Sequence, residues 1–245
     1  MSVTDTNSLW DGIEGIVLDA VGTLIDPSPP VSEVYLAAAA RQGVVVSEAD
    51  VRAQFGRYFR DDEVDETRGP LVTDESIEFA RWRRIVSQVL PELPDPDRGF
   101  AELWAHFGRA DAWRCAPDLV EALRLWKGAG LRVCIASNFD SRLRGVLAGI
   151  DELGDVRDRP VISSEIGFRK PHPAFYAAAC GRLGLPPGRV LCIGDDEEND
   201  LKGPVRAGLR AALVDRSGGN GAAAAGVFRA LSDVVPGSGP AASRL

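Results

Sequence analysis

The sequence predicts an α/β fold built on a parallel sheet, with a block of helices inserted after the first strand. Three observations carry this expectation. Short, continuous apolar runs each end in a polar residue and a turn; helix-like segments alternate with these runs in the second half; and the stretch 27–114 reads as helices alone. Continuous apolar runs suit strands buried on both faces, and strand–helix alternation suits parallel strands joined by right-handed crossovers.

Taken in order, Ile16-Val17-Leu18 is the first strand and delivers Asp19 at its end. Four helices follow over 31–42, 48–59, 74–90 and 98–109, separated by the acidic run Asp61-Asp62-Glu63-Val64-Asp65-Glu66, read as a solvated loop, and by 91–96. A helix over 118–129 then precedes the strand Val133-Cys134-Ile135-Ala136, which runs into Ser137-Asn138. Val161-Ile162-Ser163 reads as a further strand, and Pro171 and Pro173 mark the start of a helix over 173–183. The run Val190-Leu191-Cys192-Ile193-Gly194 delivers Asp195, a helix over 199–207 follows, and Ala211-Ala212-Leu213-Val214 is another strand. A Gly/Ala-rich loop over 217–226 and a short strand and helix near 227–235 close the chain. The expected organisation is a core of 11–26 and 115–245 interrupted by a small helical domain over 27–114, placed above the carboxyl edge of the sheet.

Composition excludes several classes. With 245 residues, 45% hydrophobic and 26% charged, the chain can build a proper core, in one large domain or two modest ones. A formal net charge of −8 with no basic stripe argues against nucleic acid as a partner. No stretch approaches a membrane span and the N-terminus has no basic start, so the expectation is a cytoplasmic protein without a membrane partner. The four scattered cysteines, Cys115, Cys134, Cys180 and Cys192, read as free thiols. Only three lysines exist, Lys127, Lys170 and Lys202, so any lysine-dependent chemistry has few candidates.

In open α/β sheets ligands sit beyond the carboxyl ends of the strands. Asp19, Ser137 and Asp195 are expected there, and Lys170 follows a loop just before a helix start. Clustered carboxylates repel unless a cation offsets them, and oxygen ligands suit magnesium. The residues therefore point to a cation-assisted carboxylate facing an anionic substrate.

These residues also carry a resemblance. Asp19-Ala20-Val21-Gly22-Thr23-Leu24 resembles the D-x-D-G-T-L motif of the haloacid dehalogenase superfamily; Ser137, Lys170-Pro171-His172-Pro173 and Gly194-Asp195 through Asp200 resemble its second, third and fourth motifs, in order over residues 19–200. The run Ser137-Asn138-Phe139-Asp140 and the Gly203-Pro204 pair resemble the subgroup of haloacid dehalogenase-like hydrolase domain-containing protein 3. The resemblance implies a Rossmann-like core with a helical cap, and a magnesium-dependent hydrolase, most simply a phosphatase acting on a small phosphorylated compound. It implies Asp19 as the nucleophile that forms an aspartyl phosphate, with Ser137 and Lys170 catalytic beside it. Magnesium would be held by Asp19, the Val21 carbonyl and Asp195, with Asp200 behind them. Gly22, Thr23, Ser137, Asn138 and Lys170 would bind phosphate.

Position 21 departs from the pattern. The family's phosphatases carry there a second aspartate that protonates the leaving group and then activates water, help worth on the order of 10²–10⁴-fold; Val21 can do neither. Three readings stay open. The protein is a phosphatase restricted to good leaving groups or borrowing an acid from the cap or from Asp26; or a 2-haloacid dehalogenase-type hydrolase, which the retained Asp195 and Asp200 disfavour; or a weak or inactive member that binds a ligand or partner. The lysine-based phosphonate mechanism has no lysine in the cap to serve it. Among other residues, Asp196, Glu197 and Glu198 read as a solvated loop, His172 as a helix-entry residue, His106 as packing, and Trp82, Arg83 and Arg84 as core or surface.

Overall fold

In the computed structural model, which describes residues 9–63, 71–216 and 226–236, the apolar runs become neighbouring strands. The strands are β1 (Gly15–Leu18), β2 (Ile25–Pro27), β3 (Trp113–Cys115), β4 (Arg132–Ser137), β5 (Val161–Ile162), β6 (Val190–Gly194), β7 (Arg210–Val214) and β8 (Val227–Phe228). Six of them form one parallel sheet in the order β5-β4-β1-β6-β7-β8. The two-residue period of a strand sorts its side chains into two layers. Ile16, Leu18, Ile135, Leu191 and Ile193 pack into one buried cluster, while Val17, Cys134, Ala136, Val190 and Cys192 pack into another. Both faces are dry, which is why these strands read as unbroken apolar runs.

The inserted helices are α1 (Val31–Ala40), α2 (Glu48–Glu63), α3 (Glu75–Val89) and α4 (Pro96–Phe107), and they bury a third cluster of their own, including Tyr35, Ile85 and Leu103. Their starts have local causes. The Asp74 carboxylate accepts from the Ile77 N–H (2.8 Å) at the head of α3, and that of Asp95 accepts from Arg98 N–H (2.9 Å) at the head of α4, whose first residue is Pro96. The core helices are α5 (Leu119–Gly128), α6 (Arg142–Ala148), α7 (Ser163–Ile166), α8 (Pro173–Leu183) and α9 (Gly203–Arg206). Insert and core are fastened by Glu75, whose carboxylate accepts from Ser141 N–H (2.9 Å), Ser141 Oγ (2.8 Å) and Ser164 Oγ (2.5 Å).

Several expectations are corrected. The acidic run does not open as a loop, because α2 continues through Glu63; its remainder lies outside the described residues. Ser163 begins α7 instead of ending a strand. The helix expected over 199–207 starts earlier, as a π-helical turn over Glu197–Lys202 that leads into α9. The antiparallel β2–β3 ribbon, three residues a side, is too short to leave a periodic signal, and it straddles the expected boundaries of the insert. Most of the Gly/Ala-rich loop, 217–225, lies outside the described residues. Among the described residues no helix is long and apolar enough to cross a membrane, and the four cysteines are free.

Candidate active site

Leu18 lies opposite both Ile135 and Ile193, so Asp19 leaves the sheet between the ends of β4 and β6. The strand order reverses there, with β4 and β5 on one side of β1 and β6, β7 and β8 on the other. Loops diverge at such a reversal and leave a crevice for a ligand.

Asp19, Ser137, Lys170 and Asp200 are buried in that crevice, whereas Asp195 opens to solvent at its edge. Lys170 Nζ donates to Asp19 Oδ1 (2.6 Å) and to Asp200 Oδ1 (2.7 Å). The lysine is itself placed by Asn138, whose Nδ2 donates to the Lys170 carbonyl (3.1 Å) and whose Oδ1 accepts from the Lys170 N–H (2.7 Å). Carboxylate oxygens of Asp19, Asp195 and Asp200 all lie within 4.8 Å of one another. Two glycines give them room. A Cβ at Gly194 would stand 2.1 Å from Cγ of Asp200, and a Cβ at Gly22, where φ is +89°, would stand 2.4 Å from Oδ2 of Asp195.

The electrostatics show a cluster short of positive charge. Burial pushes the Asp19 carboxyl up to about 8, with Asp200 and Asp195 adding to the rise and Lys170 opposing it. Asp195 is exposed as a residue, yet burial of its carboxyl end pushes that group up to about 6, against the hydrogen bond from Thr23. Burial alone would drive the Lys170 ammonium down, but Asp19 and Asp200 hold it well above its ordinary value. Three carboxylates share one ammonium. Hard oxygen donors this close together are a set that can hold a divalent cation, which would supply the missing charge.

The residues expected from sequence thus converge, with one correction. Thr23 is buried, and its hydroxyl donates to Asp195 Oδ1 (2.7 Å), so its proton is directed to a carboxylate and not to a bound phosphate. Gly22, Val21, Ser137 and Asn138 do line the crevice, as does Asp26. Asp196 instead uses its carboxylate to accept from the N–H groups of Glu198 (3.0 Å) and Asn199 (2.7 Å). His172 caps α8, its Nδ1 accepting from Ala174 N–H (3.2 Å). Arg216 carries no signal in the sequence; its guanidinium donates to the carbonyls of Gly22 and Thr23 (3.0 Å each) and braces the loop after Asp19.

Sequence reasoning also missed what stands above the carboxylates. The crevice opens into a cavity of about 410 Å³ roofed by aromatic rings of the insert. A signal was present: Phe100, Trp104 and Phe107 recur at helical spacing on α4, and Phe55 and Phe59 do so on α2. Trp82 joins them, whereas the neighbouring Arg83 pairs with Asp97 on the exposed side.

A model of the haloacid dehalogenase-like hydrolase family matches residues 13–208. Haloacid dehalogenase-like hydrolase domain-containing protein 3 of Xenopus laevis is 28% identical over 205 residues, covering 81% of this chain and 83% of that one. The (S)-2-haloacid dehalogenase 4A of Burkholderia cepacia is 27% identical over 216 residues, 85% of each chain. Among solved structures, a dehalogenase superposes with a TM-score of 0.71 at 23% identity, over 91% of this chain and 96% of that one, which establishes a common fold.

Proposed function

We propose, from the premise that the chain belongs to the haloacid dehalogenase-like hydrolase family, that it is a magnesium-dependent phosphatase acting on a small phosphorylated compound. The carrying observation is the cluster of buried Asp19 and Asp200, both bonded to Lys170, with Asp195 at its open edge, which has the donor chemistry for a hard divalent cation. Asp19, the Val21 carbonyl, Asp195 and Asp200 would hold magnesium, which would offset the charge gathering on the transferring phosphoryl group.

Asp19 attacks phosphorus in line, forming an Asp–phosphate bond as the P–O bond to the leaving group breaks. Lys170 holds its proton throughout and balances the nucleophile and the phosphoryl oxygens. Ser137 and the Asn138 N–H orient those oxygens from the end of β4, with the helical insert serving as the cap over the crevice. Water then attacks phosphorus, regenerating Asp19 and releasing inorganic phosphate. Val21 cannot move the protons of either step. Asp26, the cavity-lining carboxylate outside both the cation cluster and the Asp196 turn, is the candidate to take the proton from water.

The test is hydrolysis of p-nitrophenyl phosphate with and without magnesium. Magnesium-dependent turnover that disappears in Asp19→Asn is expected; activity retained in that variant sinks the assignment. A second reading, hydrolysis of 2-haloacids through an ester on Asp19, draws support from Val21, from the apolar cavity and from the Burkholderia relative. It predicts halide release that does not require magnesium.

A further inference from the structure

Two aromatic walls stand among the residues that line the cavity, with Tyr35, Phe100 and Trp104 beside them. In one, Phe55 and Phe59 stack at 5.6 Å between centroids, Trp82 extends the wall 6.0 Å beyond Phe59, and the Arg81 guanidinium lies 5.1 Å from the Phe59 centroid and 5.3 Å from that of Trp82. In the other, Phe107, Trp113 and Phe139 follow one another at 6.0 Å steps. The second wall descends to the chemistry, since Phe139 directly follows Ser137 and Asn138 at the end of β4. Of the wall rings, all but Phe139 are only half-buried, and every one of them lines the cavity. Aromatic pairs gain from edge and face geometry beyond the area that they bury. A flat ring entering the cavity can take up that geometry with the rings that line it, which an aliphatic group of equal size cannot.

A second observation concerns the leaving oxygen. Val21 stands two residues past Asp19 and lines the cavity, with no proton to give. An alkoxide, whose conjugate acid lies near that of water at about 15.7, leaves poorly without a proton. A phenolate, with a conjugate acid near that of tyrosine at about 10, leaves far more readily.

We infer that the cavity selects the monophosphate ester of a phenol, its ring held against the aromatic rings that line the cavity and its phosphate on Asp19. This rests on the phosphatase reading for the head group, while the ring selectivity rests on the walls alone. In the reaction the Asp19 oxygen–phosphorus bond forms, the phosphorus–phenol oxygen bond breaks, the electron pair leaves as phenolate, and solvent protonates it.

The experiment compares four non-reacting ligands with the full chain in magnesium, by calorimetry: phenylphosphonate, cyclohexylphosphonate, benzoate and cyclohexanecarboxylate. Phenylphosphonate is expected to bind about tenfold more tightly than cyclohexylphosphonate, the sum of two aromatic contacts. Trp82→Leu is expected to remove about half of that preference on a logarithmic scale. Equal affinity within the phosphonate pair, or preference for cyclohexyl, overturns the inference and leaves the phosphatase reading standing. If only the carboxylates bind and phenyl is preferred, the ring selectivity holds and the phosphate reading falls. If neither pair distinguishes phenyl from cyclohexyl, ring selectivity is refuted whether or not Trp82→Leu folds.

Discussion

Gly22→Ala tests whether the loop after Asp19 and the Asp195 carboxylate are fitted to each other as the geometry has them. Gly22 has φ of +89°, a conformation that costs a residue with a Cβ about 1–2 kcal/mol. The added carbon would also stand 2.4 Å from Asp195 Oδ2, so the carboxylate must swing away. It can do so, being open to solvent, but it gives up the 2.7 Å hydrogen bond from Thr23, worth about 0.5–1.5 kcal/mol. The total is about 1.5–3.5 kcal/mol, which for a chain of this size lowers Tm by about 3–14 °C. Displacing one of three carboxylates should also weaken magnesium binding, measured by calorimetry on the same protein. Thr23→Val separates the contributions, because it removes the hydrogen bond without backbone strain and should lose only about 0.5–1.5 kcal/mol. A Gly22→Ala protein that melts with wild type and binds magnesium equally well would refute the reasoning, since Asp195 would then not lie against the loop.

Val21→Asp restores a carboxyl beside the nucleophile and should raise kcat on alkyl phosphates by up to about 10²–10⁴-fold while changing aryl phosphates little; no rise in a steady-state assay would mean that the acid comes from elsewhere or that the chemistry is not phosphoryl transfer. Asn138→Ala removes the two hydrogen bonds that fix the Lys170 backbone, and should cost about 1–3 kcal/mol in urea unfolding and lower kcat at least tenfold, since small misplacements near the chemistry are expensive; an unchanged kcat would show that other contacts suffice to hold the lysine. Without metal, the Asp19 and Asp195 carboxyls, raised to about 8 and about 6, bind protons more tightly in the folded than in the unfolded chain. Their contribution is therefore present in acid and lost as pH rises through those values, so Tm in EDTA should fall between pH 5 and pH 8.5; Asp19→Asn should flatten the profile, and saturating magnesium should restore Tm at the upper end.

The parts legible in the sequence are those with a local physical signature. Ile16 to Leu18, Val133 to Ala136 and Val190 to Gly194 are apolar because both faces of the sheet are covered, so the strands and the acids or hydroxyls at their ends can be read from the order of residues alone. His172 at a helix start and Asp74 at the head of α3 belong to the same category, whereas α4 is expected from 98 and starts at Pro96 behind its Asp95 cap. What stays hidden depends on the approach of distant segments. Thr23 meets Asp195 across 172 residues, and Arg216 reaches back to Gly22 across 194, and neither spacing leaves a pattern. Asn138 is expected to serve phosphate; that its side chain clamps Lys170 emerges only with β4 and the loop before α8 side by side. The aromatic roof is an intermediate case: its spacing is visible, but a helical stripe of rings looks the same whether it faces a core or a cavity.

Val21 and that roof bear on catalysis in different ways. An acid that protonates the leaving oxygen acts only in the transition state, so its absence lowers kcat for any substrate that needs it. Rings that grip a leaving group bind ground state and transition state alike; such uniform binding lowers KM and cannot return the lost kcat. The aromatic walls therefore do not replace the missing aspartate. On the proposed function they would favour esters whose leaving group does not require one, so that a deficit in proton transfer would become a specificity. The two contributions separate kinetically: removal of a ring, as in Trp82→Leu, should appear in KM on aryl phosphates with kcat nearly constant, whereas the carboxyl of Val21→Asp should appear in kcat on alkyl phosphates. On that reading, proton chemistry at position 21 and recognition by the insert would be complementary, and these two kinetic signatures test them separately.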